Sequence, residues 1–246
     1  MSADSKTRFS DRVGDYVKFR PSYPREAIDA ILSATKASRV ADLGSGTGIS
    51  AKLFLERGIR VYGVEPNAEM RAAAERELAA FSNFTSVDGS AEKTTLADAS
   101  VDLAIAAQSF HWFRPEETRV ELARILAPPR WVALMWNERL VDTAFLRDYE
   151  AALREHSPDY AEVDHRDAGD RAHVGRFFRG PFETHGFPNA QRFDREGFIG
   201  RARSSSYVPK TETMMAALER VFDAHADAGH VEFRYLTQVH IGTLTA

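Results

Sequence analysis

Between positions 42 and 48 the chain reads Asp-Leu-Gly-Ser-Gly-Thr-Gly, and an acid, Glu65, follows at the end of the next apolar run. Glycines at 44, 46 and 48 let a backbone turn tightly and approach a ligand with no Cβ in the way. Residues 39–43 read as a buried strand. Residues 49–57 read as a helix, whose first N–H groups suit a carboxylate or a pyrophosphate. At the end of a second strand, the Glu65 carboxylate can accept hydrogen bonds from both hydroxyls of a ribose. Loop, helix and acid together describe a site for a nucleoside-containing cofactor; a purely structural glycine turn is the competing account. The dinucleotide fingerprint needs glycine at its first, third and sixth positions. Counted from Gly44, the sixth position is Ile49. The motif is therefore GxGxG, which suits a ligand with one carboxylate better than a pyrophosphate.

The elements that must hold these residues follow a regular alternation. The helix over 49–57 is closed by Gly58, and a strand over 59–64 leads to a helix over 67–80 that Asn67 can cap. A short strand spans 84–87, and residues 100–107 form the continuous apolar run of a central parallel strand. A helix over 116–126, with Pro115 in its first turn, precedes a fifth strand over 131–136. Such a βα rhythm implies a parallel sheet with right-handed crossovers and helices on both faces. Further on, 142–156 and 213–226 read as helices, 231–243 alternates like an antiparallel strand, and a mixed stretch with several Gly and Pro lies between. Strands one and four would be neighbours at the topological switch point, where ligands of open α/β sheets bind. The glycine loop and Gln108-Ser109-Phe110-His111-Trp112-Phe113 then face the same crevice.

Residues 40–48 (VADLGSGTG) and 61–67 (VYGVEPN) resemble the first two motifs of class I S-adenosylmethionine-dependent methyltransferases. The likeness in spacing and strand order covers roughly residues 10–140. It implies a doubly wound, Rossmann-like α/β fold, with a mostly parallel seven-stranded sheet and an antiparallel C-terminal strand. One domain, 1–246, is expected, with residues 1–37 as an N-terminal lid or helix region and 140–210 containing a substrate-side insertion. In that family the glycine loop passes under the methionine part of the cofactor and the acid after strand two holds the ribose. The resemblance gives those roles to Asp42, Gly44, Ser45, Gly46, Gly48, Glu65 and Pro66. Met70 either packs against the adenine or is an ordinary core methionine. The loop Asp88-Gly89-Ser90-Ala91-Glu92 corresponds to the segment that brackets the adenine. Many members carry Asp where this chain has Ser90, which leaves backbone contacts from Ala91 and Glu92. The wording AAQSFHWF, the N-terminal Tyr16-x-x-x-Arg20-Pro21-x-Tyr23-Pro24 and the distal Ser204-Ser205-Ser206-Tyr207-Val208-Pro209 are similar to small-molecule methyltransferases related to trans-aconitate methyltransferase.

The reaction this implies is an in-line displacement, in which an acceptor atom attacks the sulfonium methyl and S-adenosylhomocysteine remains. The methyl is already activated, so the protein mainly supplies alignment and exclusion of water. An acceptor that carries a proton needs a base. His111 is the candidate, because imidazole titrates near neutrality and its loop should border the methyl. A structural His111 bonded to nearby backbone is the alternative, and a carboxylate acceptor would need no base at all. Gln108 faces the cofactor side, while Trp112 and Phe113 either wall the acceptor pocket or belong to the core. Tyr16 and Arg20 precede the first strand and can fold over the crevice, with Arg20 near a carboxylate; a surface arginine in a proline-bounded turn is the plainer account.

Other chemistries leave no trace. The chain has no cysteine, and its eight histidines form no HExxH pair. The position after strand four, where catechol-type methyltransferases place an acidic metal ligand, is Gln108, so no metal is expected. There is no GxSxG elbow. Asp164-His165-Arg166-Asp167 reads as a solvated loop. A net charge of −4 argues against nucleic acid as partner. No window approaches the roughly 18 uncharged apolar residues of a membrane span, and the polar N-terminus lacks a signal-peptide core, so a cytoplasmic location is expected. The reading is methyl transfer from S-adenosylmethionine to a small-molecule acceptor, at oxygen and with a carboxylate as one form of it. A nicotinamide-dependent oxidoreductase and a non-catalytic S-adenosylmethionine-binding protein are the competing readings. Oligomeric state is not legible.

Overall fold

Val40, Ala41 and Leu43 are wholly or almost wholly buried, and a run apolar on both faces can only be a strand with helices above and below it. In the structure, a computed structural model that describes residues 18–158, 160, 171–205 and 207–245, this run is β1 (Arg39–Leu43). It lies third in a seven-stranded sheet of order β3-β2-β1-β4-β5-β7-β6. The other strands are β2 (Arg60–Val64), β3 (Phe84–Val87), β4 (Val101–Ala107), β5 (Leu126–Arg139), β6 (Phe182–Phe193) and β7 (Val231–Thr243). β1 pairs in parallel with β2 and β4, and β7 runs antiparallel to both β5 and β6. The chain therefore winds outward from β1 to β3, returns to β4 beside β1, and leaves a crevice above the C-terminal ends of those two strands.

Helices cover both faces. Ahead of β1, α1 (Arg25–Thr35) buries Ala27, Ile28 and Ile31 at helical spacing, and ends where Lys36 turns left-handed and bonds back to the Leu32 carbonyl. Together with α2 (Ile49–Leu55) it forms one core with Val40, Val61, Leu103 and Met135. On the opposite face, α4 (Pro115–Ile125) and α6 (Arg171–Phe178) supply Leu122, Ile125, Val174 and Phe177 against Ala41, Ala104 and Leu134. Each fully buried aliphatic or aromatic side chain here contributes about 1.5–3 kcal/mol. Between β2 and β3, α3 (Ala68–Glu77) starts as the sequence predicts: Asn67 accepts from the amides of Glu69 and Met70.

A third core lies outside the doubly wound frame. Phe145, Leu146, Tyr149 and Leu153 of α5 (Ala144–His156), Phe198 of α7 (Arg195–Arg203) and Leu218 and Phe222 of α8 (Glu212–His225) pack on Phe233 and Tyr235. These last two belong to the first half of β7, which pairs with the end of β5, so this cap sits at the crevice end of the sheet.

Boundaries differ from expectation in instructive places. The helix read over 49–57 stops at Leu55, because Gly58 at φ +76° and a bond from the Ile59 amide to the Phe54 carbonyl turn the chain away. The helix read over 67–80 ends at Glu77. β5 is longer than 131–136, since its residues to Arg139 are paired by β7 as far back as Tyr235. A seventh strand is implied by the resemblance, but the residues of β6 do not read as one. Its Gly186 and Pro188 interrupt the alternation, and a proline is tolerated because β6 is an edge strand with β7 as its one neighbour.

Candidate active site

The loop after β1 is fixed by its neighbours in the sheet. The amides of Gly44 and Ser45 both donate to the Val64 carbonyl, at 2.8 and 3.2 Å. Gly44, Gly46 and Gly48 all have left-handed φ, at +64°, +56° and +86°. At Gly44 a Cβ would sit 2.7 Å from the Ser109 Cβ, so the end of β4 approaches this backbone as closely as a glycine allows. At Gly46 a Cβ would meet nothing within 4 Å. The loop thus presents open space at its middle glycine and tight packing at the first.

Two carboxylates lie beneath and beside it. Glu65 is 9% exposed; one oxygen accepts from the Gly46 amide at 3.0 Å and the other from the Asn67 amide at 2.9 Å. Burial pushes its carboxyl above the ordinary range, opposed by these amides and by Arg71. Asp42 is fully buried. Its Oδ2 accepts from Ser50 at 2.6 Å, while Oδ1 is buried with no hydrogen-bond partner among the described residues. Burial is the main cause that pushes this carboxyl up to about 7, with the nearby Glu65 adding to it and the Ser50 hydroxyl working against it. Thr47, 3% exposed, also carries a buried, unpartnered hydroxyl oxygen. An orphaned hydroxyl, an orphaned carboxylate oxygen and an open middle glycine are what a loop shaped for a polar ligand would show.

From the other side the crevice is closed by the end of β4. Gln108 holds a left-handed φ of +58°, a conformation that costs a non-glycine residue of order 1 kcal/mol. It is held there by its amide, which donates to Met135, and by its side-chain Nε2, which donates to the Asn137 carbonyl at 3.1 Å. The Ser109 hydroxyl donates to the Leu43 carbonyl at 2.6 Å. A short 3-10 turn (Phe110–Trp112) follows. Above them runs the segment before α1. The Ser22 carbonyl accepts from Asn137 and Asn189, Gln191 donates to the Phe19 carbonyl, and Arg20 donates to the Ser204 carbonyl at 3.3 Å.

One cleft brings together Arg20, Pro21 and Tyr23 of that segment, Gly44, Ser45, Thr47, Ile49 and Ser50 of the loop and α2, and Ala107 and Gln108 of β4. Of the residues singled out by sequence, Arg20, Gly44, Ser45 and Gln108 thus share this cleft, with Asp42 bonded to Ser50 and Glu65 to Gly46. Gly48 caps α2, and Pro66 is half-buried beside Glu65. Met70 is buried at the start of α3. Ser90 closes a small turn with Lys93, Ala91 is buried, and one Glu92 oxygen accepts from the Arg114 amide. This turn is anchored by Glu121, which accepts from both the amide and the hydroxyl of Thr94. His111, Trp112 and Phe113 are half-buried and are not part of the cleft lining; the Phe113 ring stands against Gly44, 3.6 Å from the Cβ position there. Phe110 points into the core against Phe177. Tyr16, Ser206 and the charged cluster at 164–167 lie outside the described residues. Sequence reasoning quoted Thr47 and Tyr23 within motifs but gave them no role, and passed over Ser50 and Asn137. Only Ser50 left a signal, a hydroxyl in the first turn of the helix that follows a strand with an aspartate next to its end. Among the described residues no group of three or more His, Asp or Glu could hold a metal ion, and no helix is long and apolar enough to cross a membrane.

Residues 41–134, from β1 into β5, match the family model described as a methyltransferase domain. An uncharacterised methyltransferase of Mycobacterium tuberculosis is 42% identical over 140 residues, which is 55% of this chain and 54% of that protein. The chain spans about half the length of the curated relatives it matches. Among solved structures, a provisionally named type II methyltransferase from Anaeromyxobacter dehalogenans superposes with a TM-score of 0.74 at 24% identity, covering 93% of this chain and 100% of that one. A Haemonchus contortus phosphoethanolamine N-methyltransferase, in complex with S-adenosylhomocysteine, gives 0.59 at 13% identity, over 99% of this chain and 59% of that one. The structural likenesses establish the fold. The family match lies within that fold, over residues 41–134, from β1 into β5. The likeness to trans-aconitate methyltransferases finds no counterpart in these matches.

Proposed function

We propose that the protein transfers a methyl group from S-adenosylmethionine to a small-molecule acceptor at oxygen, a carboxylate oxygen included. The observation that carries this reading is the joined pair of Gly46 and Glu65 beside the strained end of β4, inside the stretch that matches a methyltransferase domain. The site fits the cofactor: the open space at Gly46 and the orphaned Asp42 and Thr47 oxygens lie on one loop. In this reading Asp42, Gly44, Ser45, Gly46 and Gly48 hold the methionine part, Glu65 and Pro66 the ribose, and Met70, Ser90, Ala91 and Glu92 the adenine. Arg20 and Gln108 close over it, and Tyr16 is assigned to the same cofactor-binding set. The bound cofactor supplies a methyl group already activated for displacement. The protein's part is alignment and exclusion of water: the 18–24 segment covers the cleft, and Trp112 and Phe113 flank the acceptor. Where the acceptor is a hydroxyl, His111 takes its proton on a ring nitrogen as the methyl is received. A carboxylate acceptor needs no such step. In this reading residues 140–210 contain the substrate-side insertion of a single domain, and the protein acts in the cytoplasm on small molecules, with neither nucleic acid nor membrane as partner.

Calorimetric titration with S-adenosylhomocysteine, run beside NAD(H), tests the reading. Micromolar binding of the first alone is expected; a preference for NAD(H), or no binding of either, overturns it. For the base, His111→Ala should lower turnover of a hydroxyl acceptor about 10²-fold or more, and an unchanged rate removes His111 from the mechanism.

A further inference from the structure

Two arginines, Arg201 buried and Arg139 largely so, stand at the crevice end of the cap with too few acids around them. Arg139, the last residue of β5, donates through Nη2 to Glu150 at 2.6 Å and to the Tyr160 hydroxyl at 2.7 Å, and Tyr160 donates to the same Glu150 oxygen. The other Glu150 oxygen is taken by Arg154 at 2.8 Å. The Nη1 of Arg139 is buried with no hydrogen-bond partner among the described residues. Arg201, on α7 and 5% exposed, is bonded to hydroxyls: Tyr235 at 3.2 Å and Ser205 at 2.9 Å. No carboxylate is bonded to it among the described residues. Tyr207, whose ring centre is 5.0 Å from that of Tyr160, is within electrostatic reach of both cations. Desolvation works to raise its phenol, but Arg139, Arg201, a hydrogen bond with Ser205 and Arg20 together hold it below its ordinary value.

A buried guanidinium without a counter-ion is costly to keep, and its fork of donors matches a carboxylate or a phosphate. The cluster is also in the right place. Side chains two apart on a strand share a face, and Arg139 stands two beyond Asn137, which receives the Gln108 side chain at the crevice. Arg20, which lines the cofactor cleft, donates to the Ser204 carbonyl, in the turn that also gives Arg201 its Ser205 partner. We propose that Arg139, Arg201 and Tyr207 form a recognition site for an oxyanion of the methyl acceptor, a carboxylate or phosphate carried away from the atom that is methylated. This rests on the methyl-transfer reading for the identity of the ligand as acceptor. A hydrogen-bonded core that merely stiffens the cap would explain the hydroxyl partners of Arg201 but not the orphaned Nη1 of Arg139.

The test uses the full chain saturated with S-adenosylhomocysteine and titrates it with citrate and, separately, with inorganic phosphate. Titration with S-adenosylhomocysteine comes first and reports fold and cofactor site in every variant. Saturable binding of one anion is expected in the wild type. It should weaken at least tenfold in Arg139→Gln and at least threefold in Tyr207→Phe, with S-adenosylhomocysteine affinity within twofold of wild type. Tyr207→Phe removes one hydroxyl and keeps the ring, so it serves if Arg139→Gln does not fold. Binding of citrate alone assigns the oxyanion to a carboxylic acid, and binding of phosphate alone to a phosphate ester. The proposal is overturned if neither anion binds the wild type saturably, or if the folded variants bind as the wild type does. Failure of S-adenosylhomocysteine to bind defeats the methyl-transfer reading separately, because the anion titrations repeated without it still report on the arginines.

Discussion

Gly44 and Gly46 share a backbone conformation but not a neighbourhood, so the same substitution at each should fail in different ways. An alanine pays the left-handed φ at either position, about 1–2 kcal/mol. At position 44 its Cβ would also lie 2.7 Å from the Ser109 Cβ, well inside the 3.5–4.0 Å at which carbon atoms attract. Ser109 cannot retreat freely, since its hydroxyl is bonded to the Leu43 carbonyl. Overpacking of this kind adds about 1–3 kcal/mol. Gly44→Ala should therefore lose about 2–5 kcal/mol, and Gly46→Ala only the first 1–2. For a chain of this size, with about 2–4 °C per kcal/mol, melting should fall by roughly 4–20 °C in the first case and 2–8 °C in the second. Ligand binding should reverse the ranking of the two sites as problems. Gly46→Ala places a methyl group into the space the proposed cofactor occupies, and should lose tenfold or more in S-adenosylhomocysteine affinity while remaining folded. Thermal unfolding followed by circular dichroism, then calorimetry on both variants, measures this. A Gly44→Ala protein no less stable than Gly46→Ala would refute the packing argument, and a Gly46→Ala protein that binds normally would refute the location of the ligand.

The buried Asp42 gives a pH signature. Its folded carboxyl titrates at about 7 against an ordinary 3.8, chiefly through desolvation, so the native state keeps a proton that the unfolded chain has released. Its contribution is intact below about pH 4 and is lost as pH rises toward 7, by up to about 1.4 kcal/mol per pH unit. Asp42→Asn should flatten that slope, so that its melting temperature gains on wild type between pH 4.5 and 8; parallel curves would count against the shift. Arg119, buried in α4, donates to the carbonyls of Phe177, Phe178 and Thr245 and ties the end of α6 to the end of the chain described here. Arg119→Met strands those carbonyls and should cost about 2–4 kcal/mol, read as a lower urea midpoint at an unchanged slope.

What the sequence disclosed was local. β1 matches its predicted bounds because a strand buried on both faces is a continuous apolar run, and the glycine loop stands out because three left-handed positions in five residues demand one residue type. Glu65 was legible from its place at a strand end. β7 was legible because one half of it faces a core on alternate residues. β6 was not, since its register comes from twelve pairings with β7 that override a glycine and a proline. The arginine cluster was hidden for a different reason. Arg139, Glu150, Tyr160 and Arg201 come from β5, α5, the turn after it and α7, and no spacing along the chain announces that these meet. Asn137 looks like the end of a strand, yet its side chain binds partners at residues 22, 189 and 237.

That last convergence bears on how the crevice comes into being as the chain is synthesised. The segment before α1 is made well before its anchors at Asn189, Gln191 and Ser204. β6, which carries two of them, joins the sheet only through β7. At translation rates of about 5–20 residues per second, the early segment waits on the order of ten seconds or more for residues 231–243 to arrive. Until then the Asn189 and Gln191 contacts that fix this segment over the glycine loop are not in place, although Asn137 already offers its donor to the Ser22 carbonyl. The cleft is completed only when the central strand of the antiparallel edge zips in, long after the glycine loop has been made.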